Sequence, residues 1–409
     1  MPKARIDAER LWSSLMELAR VGATPKGGVR RVTLTPADRE GRELFARWCR
    51  ETGLDLRVDA IGNLFARRKG ADAAAPPVVM GSHLDTQPNG GKFDGAYGVM
   101  AGLEVVRALN DAGVTTRAPL EVASWTNEEG SRFVPTMMGS GVFTGVYSLD
   151  DVLAHEDVDG VSVAAALKAI GCAGDARPHK VAAYFEAHIE QGPVLEDTKT
   201  TIGVVQGALG QRWYDVVITG QDAHAGPTPM ELRKDAMLAA AELTLEVNRI
   251  ATTFPDNARG TVGHMQVKPN SRNVIPGEVR MTIDLRNAKD ATLSAMQREL
   301  YETAERIARK RRVAVHLQEV VYFPPSEFAA ELVSRVRDAA RQLGLSHRDI
   351  VSGAAHDAVY LSRVTPTAMI FIPCEGGISH NEIENARPAD CAAGCSVLLQ
   401  AVLATARTA

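Results

Sequence analysis

Several features that would settle the class of this 409-residue chain at once are missing. No cysteine pair has CxxC spacing, and the five cysteines (Cys49, Cys172, Cys374, Cys391 and Cys395) are scattered and odd in number. That excludes a disulfide framework and fits reduced thiols in a cytoplasm. Charge of one sign is also lacking. A net charge of -4 gives no electrostatic reason to expect nucleic acid or an anionic membrane as partner. No stretch approaches the ~20 uninterrupted apolar residues that cross a bilayer. The N-terminal run from Met1 to Asp7 enters charged residues without an apolar signal core, so a cytoplasmic location and no membrane partner are expected. Gly139-Ser140-Gly141 with Gly145 misses the dinucleotide-binding spacing, and no GxSxG nucleophile elbow occurs. Internal repeats and low-complexity tracts are absent as well.

What is present is an ordinary globular composition, 45% apolar and 23% charged, on a chain too long for one typical core. The amphipathic run from Glu9 to Leu18, the loop Gly22 to Gly28 and a helical stretch from Pro36 to Thr52 open the chain. Apolar runs at 78–80, 120–125 and 181–188, with a helix over 95–112, predict an α/β sheet whose functional residues lie at strand ends. The middle has another rhythm: strand 213–220, helix 232–250, strands 261–267 and 278–285, helix 291–309, strand 313–320. This β-α-β-β-α-β order is the split βαβ, or ferredoxin-like, arrangement. The basic cluster Arg309-Lys310-Arg311-Arg312 falls at a helix end and is read as complementing its dipole. After Phe323-Pro324-Pro325 the α/β pattern returns, with a helix face of Phe328, Leu332, Val336 and Leu343, a buried strand 368–372 and a last helix from Pro388 to about Ala406. The expected division is 1–211 and 325–409 for a larger α/β domain, with a smaller α+β domain at 212–324 inserted into it.

Two segments carry most of the chemistry. Gly81-Ser82-His83-Leu84-Asp85-Thr86, with Asp94-Gly95 after it, and Thr126-Asn127-Glu128-Glu129-Gly130 each follow a strand-like run. Together with His188 and His380 they offer the imidazole and carboxylate donors that zinc and similar divalent ions take, and a carboxylate can bridge two such ions. Asp85, two residues past His83, is placed to hold the second imidazole nitrogen and fix the tautomer. Glu128 and Glu129 can divide the work, one binding metal and the other taking a proton from water. Two adjacent acids on a bare loop repel each other unless a cation lies between them.

These segments, with Gln87-Pro88, Lys92-Phe93, His188-Ile189-Glu190-Gln191-Gly192-Pro193, Ala223-His224-Ala225-Gly226, Asn273-Val274-Ile275-Pro276-Gly277, Gly353-Ala354-Ala355-His356-Asp357 and Gly377-Ile378-Ser379-His380-Asn381, resemble the hydantoinase/carbamoylase family. These are amidohydrolases of the M20 metallopeptidase superfamily, and the likeness runs in order from about residue 5 to 405. It implies an M20-type catalytic α/β domain with an inserted ferredoxin-like lid that also forms a homodimer contact. It further implies two divalent metal ions per subunit, zinc or manganese, with nickel and cobalt also suited to the donors. His83 and His188 would hold one ion, Glu129 and His380 the other. Asp94 would bridge them, and Glu128 would be the general base.

The implied substrate is a small ureido compound with a carboxylate. His224 would stabilise the oxyanion, in relatives from the partner subunit's lid. Arg286 would clamp the substrate carboxylate with Asn273 beside it, and Gln191 would read the ureido amide. His356 reads as a support behind the ligands. His155, His179, His264, His316 and His347 lack context. Peptidases of the superfamily usually carry an acidic continuation at Asp94-Gly95 and a carboxylate where this chain has His188. A neutral imidazole there leaves the metals more positive toward a poorly electrophilic ureido carbon. The expected activity is hydrolysis of N-carbamoyl amino acids to the amino acid, carbon dioxide and ammonia. Gln87-Pro88 resembles the N-carbamoyl-β-alanine members, and Pro227 stands where many relatives carry threonine. Allantoate amidohydrolase, a dipeptidase and a catalytically dead binding protein are the alternatives; the last should lack a ligand or Glu128, and this chain lacks none.

Overall fold

Unbroken apolar runs become strands covered on both faces, whereas alternating runs become strands with one face buried. Both kinds occur here, in different places. In the computed structural model, which describes residues 4–255 and 257–407, the chain divides into two compact units. One is Met1–Gly207 with Glu327–Ala409, and the other is Ala208–Ser326. The junctions lie a few residues outside the expected 211/212 and 324/325.

The discontinuous unit is built on a nine-stranded mixed sheet. Its centre is four parallel strands, in the order Leu120–Trp125, Val78–His83, Ala183–Ile189, Thr367–Ile372, each buried along its whole length. Leu64–Arg68 and then Asp55–Val58 add antiparallel strands on one side, and Ile202–Ala208 does so on the other. The strands Ile202–Ala208 and His347–Ser352 have no counterpart in the sequence reading. Gly203 and Gly207 interrupt the apolar run of the first, and the second is mostly polar with partial burial.

Helix Pro36–Glu51 starts at an N-cap Thr35 that accepts from the Asp38 N–H, with proline in its first turn. Helix Pro388–Ala406 also begins on proline. Among the described residues it alone is long and apolar enough to cross a bilayer. Here it packs against helices Ala96–Asp111 and Ala330–Gln342 and the strand Thr367–Ile372, so its apolarity serves the core.

The continuous unit holds a four-stranded antiparallel sheet ordered Ala314–Phe323, Gly210–Thr219, Glu278–Asn287, Arg259–Lys268. With helices Ala236–Thr253 and Asp290–Arg311 between strands, this is the split βαβ arrangement, strands in the order fourth, first, third, second. Strand Glu278–Asn287 alternates strictly, burying Val279, Met281, Ile283 and Leu285 with Leu243, Val247 and Leu300 of the helices. The basic cluster does more than face a dipole. Lys310 and Arg311 both bond Glu242 on the other helix and tie the pair together.

Candidate active site

All four parallel strands deliver chemistry to one end of the sheet, the carboxyl end where α/β proteins build their sites. His83 closes strand Val78–His83 and lies beside Trp125, so the segment Thr126–Gly130 leaves the sheet next to it. His188 sits near the end of the adjoining strand, opposite Phe371, and His380 follows in the loop after Thr367–Ile372. Asp94 comes from the loop after His83. The next residue must be glycine: Gly95 has φ of +63°, and a Cβ there would overlap the His83 ring.

The donors fall into two triads that share Asp94. On one side the His188 Nε2 lies 3.2 Å and the His83 Nε2 3.6 Å from Asp94 Oδ1. On the other, His380 Nε2 lies 3.3 Å from both Asp94 Oδ2 and Glu129 Oε2. His83 and His188 are buried, while the His380 side chain is half exposed, so the site opens on that side. Glu128 belongs to neither triad; its Oε2 lies 3.5 Å from His83 Nε2.

Tautomers follow from the partners. The Nδ1 atoms of His83 and His188 each lie 2.9 Å from a main-chain carbonyl, of Asp85 and Ile189 respectively. A carbonyl only accepts, so each Nδ1 carries a hydrogen, and each Nε2 is the ring atom turned toward Asp94. This corrects the expected role of Asp85: its carbonyl, not its carboxylate, fixes the imidazole. The Asp85 carboxylate lies 4.0 Å from that nitrogen and instead accepts from the N–H groups of Glu128 and Glu129, at 3.3 Å each. The turn geometry brings the backbone oxygen back onto the ring and leaves the carboxylate to hold the acid pair. Gln87 adds a second clamp, its N–H and side-chain amide donating to the two oxygens of Glu129 at 3.1 and 2.7 Å.

Electrostatics reflect this crowding. Burial works against the Asp94 anion, yet hydrogen bonds from His188, His380 and His83 outweigh it and hold its carboxyl well below the usual range. Burial raises Glu128 well above a normal glutamate, with Asp357, Glu129 and Asp85 adding repulsion. It also pushes Glu129 up to about 7, with Asp94 adding to it, and the Asp94 hydrogen bond lifts His380 to about 9. Within this crowd of acids, Asp94 and Glu129 with His83, His188 and His380 are groups that could hold divalent metal. The backbones of Asn127, Gln191 and His380 adopt φ of 54°, 57° and 55°, so the three loops around it all hold left-handed residues.

Gln191 donates to Asp94 Oδ2 at 2.8 Å. His356 packs against His188 with ring centres 4.5 Å apart and planes inclined by 59°, and binds Ser352 Oγ; burial and His188 push it well below an ordinary histidine, so it stays neutral. The remaining expected residues belong to the continuous unit. His224 is exposed, and its Nδ1 accepts from the Gly226 N–H at 3.1 Å, which leaves the ring hydrogen on Nε2. Asn273 adjoins the same short ribbon, its carbonyl accepting from the Ala225 N–H. Arg286 pairs with Asp284, two residues back on its strand, at 2.8 Å. His179 binds Glu121, His155 the Val134 carbonyl and His347 the Leu345 carbonyl. Neither these nor His264 and His316 join a ligand cluster among the described residues.

Sequence reasoning passed over Glu186 and Glu384. Glu186 is fully buried and accepts from Ser82 Oγ, Tyr184 Oη and the Ala358 N–H. A glutamate two residues before His188 in an apolar strand was the available signal, since strand alternation puts both on one face.

Comparison with known proteins shows the family. Residues 79–404 match the family described as Peptidase family M20/M25/M40. The chain is 48% identical to an N-carbamoyl-L-amino-acid amidohydrolase of Rhizobium meliloti, over 98% of this chain and 97% of that one. Identity is 41% to the enzyme of that name from Geobacillus stearothermophilus, over 97% and 98%. A crystal structure of an amidase of the hydantoinase/carbamoylase family from Burkholderia multivorans superposes with a TM-score of 0.97 at 52% identity, covering 99% of both chains. The chain belongs to the hydantoinase/carbamoylase family of M20 amidohydrolases.

Proposed function

We propose that this protein is an N-carbamoyl-L-amino-acid amidohydrolase that works with two divalent metal ions. The observation that carries the reading is the pair of donor triads sharing Asp94, with Glu128 left outside both. His83, His188 and Asp94 would hold one ion, and Asp94, Glu129 and His380 the other. Bound there, the ions would supply Lewis-acid charge to the ureido carbonyl and to water. Zinc and manganese both suit the donors.

The chain's own groups do the rest. Glu128, buried and with its basicity raised, takes the proton from the attacking water and returns it to the departing nitrogen. Asp85 orients it through the Glu128 N–H. His224 is assigned by family likeness as the oxyanion donor, and an Nε2 hydrogen is what that task needs. Arg286 with Asn273 is assigned to the substrate carboxylate, and Gln191 to the ureido amide. The continuous unit is the proposed lid and homodimer contact. Gln87, which on sequence alone hints at a β-amino acid, is engaged by Glu129 and so speaks to the metal site and not to the length of the substrate.

Protein loaded with zinc or manganese and offered N-carbamoyl-L-methionine, N-carbamoyl-β-alanine and allantoate should turn over the first fastest. Inactivity on all three with metal bound would sink the reading, and preference for allantoate would replace it.

A further inference from the structure

Glu384 lies in the loop between His380 and the last helix, 1% exposed, and takes no part in either triad. Its contacts nevertheless join two of the three segments that supply the second triad, those of Asp94 and His380. Oε1 accepts from the N–H of Phe93 at 2.9 Å and of Asp94 at 3.1 Å. Oε2 accepts from Ser379 Oγ at 3.0 Å. That hydroxyl also lies 2.8 Å from Asp94 Oδ2, so one serine sits between both carboxylates, next in sequence to His380. Space has been cleared for the arrangement: a Cβ at Gly91 would overlap the Glu384 carboxyl carbon, which its hydrogen bonds keep in place.

Resting on the two-metal reading above, we infer that Glu384 is a positioning residue that sets the separation of Asp94 and His380 and thereby the hold on the second metal ion. The physical case is direct. His380 is half exposed and sits on a left-handed backbone, the least supported of the donors. Its neighbour Ser379 is tied to Glu384, and Glu384 is tied to the main chain of Asp94. Without that carboxylate two buried N–H groups lose their acceptor, and the loops on either side of the second ion lose their common anchor.

The test is cobalt(II) titration of chelator-treated protein, followed by its visible absorption and by metal analysis, on wild type, Glu384→Ala and Glu384→Gln. Wild type should take up two ions. The alanine variant should bind the second at least roughly tenfold more weakly, with an altered spectrum and a lower kcat at little-changed KM. The glutamine variant keeps an oxygen for the two N–H groups and an amide for Ser379 Oγ, so it should restore the second ion. An alanine variant that binds both ions as wild type does overturns the inference. A wild type that binds fewer than two overturns the two-metal reading itself. If the alanine variant does not fold, Ser379→Ala decides, since it removes the hydroxyl that links the His380 loop to Glu384 and Asp94 and leaves the bonds of Glu384 to the Phe93 and Asp94 N–H groups in place. Weaker binding of the second ion supports the anchor, and unchanged binding overturns it.

Discussion

The two units are both sheets covered by helices, yet they bury different things. In the continuous unit the buried polar residues, among those described, are Asn287 and Thr303, and its charges lie in pairs on the surface. In the discontinuous unit His83, Asp85, Asp94, Glu128, Glu129, Glu186, His188, His356, Asp357 and Glu384 are all buried, and most crowd around one end of the sheet. Burying a charge is costly unless it is paired, and like charges together cost more. A fold carries such a cluster where a cation or a reaction makes use of it. The contrast therefore locates the chemistry without any appeal to pocket shape, and it can be tested by treating the two units differently.

The sharpest break comes from removing metal. Chelation should abolish turnover and lower the stability of the discontinuous unit, because an ion bound to the native state alone stabilises it by mass action. Calorimetry with and without metal should shift that unit's transition and leave the other's in place; a uniform shift would undo the contrast. Next in size, Glu128→Gln should lower kcat by about 10²–10⁴-fold while both ions remain bound. Retained activity would refute Glu128 as the base. Metal affinity should also depend on pH. Glu129, raised to about 7, and His380, raised to about 9, must both lose protons to bind an ion. Binding should thus weaken as pH falls from about 9 to about 6, and titration calorimetry in buffers of different ionisation heat should detect the released protons.

The legible parts of the molecule were those in which one residue type has one use. Alternation in Glu278–Asn287 and the element order around it specify the small sheet, because a half-buried strand tolerates no other pattern. His83, Asp94, Glu129, His188 and His380 were legible as candidate donors because their motifs frame them with glycines and strand ends, and the fold gathers them into two clusters. What the motifs do not encode is which atom of a residue is used. Asp85 turned out to act through its carbonyl on His83 and its carboxylate on the next loop, a choice set by turn geometry. Glu384 was hidden for a related reason: its partners are main-chain N–H groups almost three hundred residues away, which leave no mark in the sequence. The strand Ile202–Ala208 was missed because its glycines break the apolar run that signals a buried strand.

Two substitutions in the continuous unit sharpen the contrast from its other side. Leu243→Ala empties a fully packed position against the sheet and should cost about 2–5 kcal/mol in that unit. Metal content should not change. Arg249→Ala should have the smallest effect of all. Arg249 donates to Glu246 and Glu299 at 2.6 Å each, a geometry that looks strong on distance alone. All three side chains are partly open to water, however, where solvent screens the attraction and ordering two long side chains offsets part of it. The expected loss is below about 1 kcal/mol in a urea titration, with kcat unchanged. A loss as large as that of Leu243→Ala would mean that this unit too is held by charge, and the division between a packed unit and a charged one would fail.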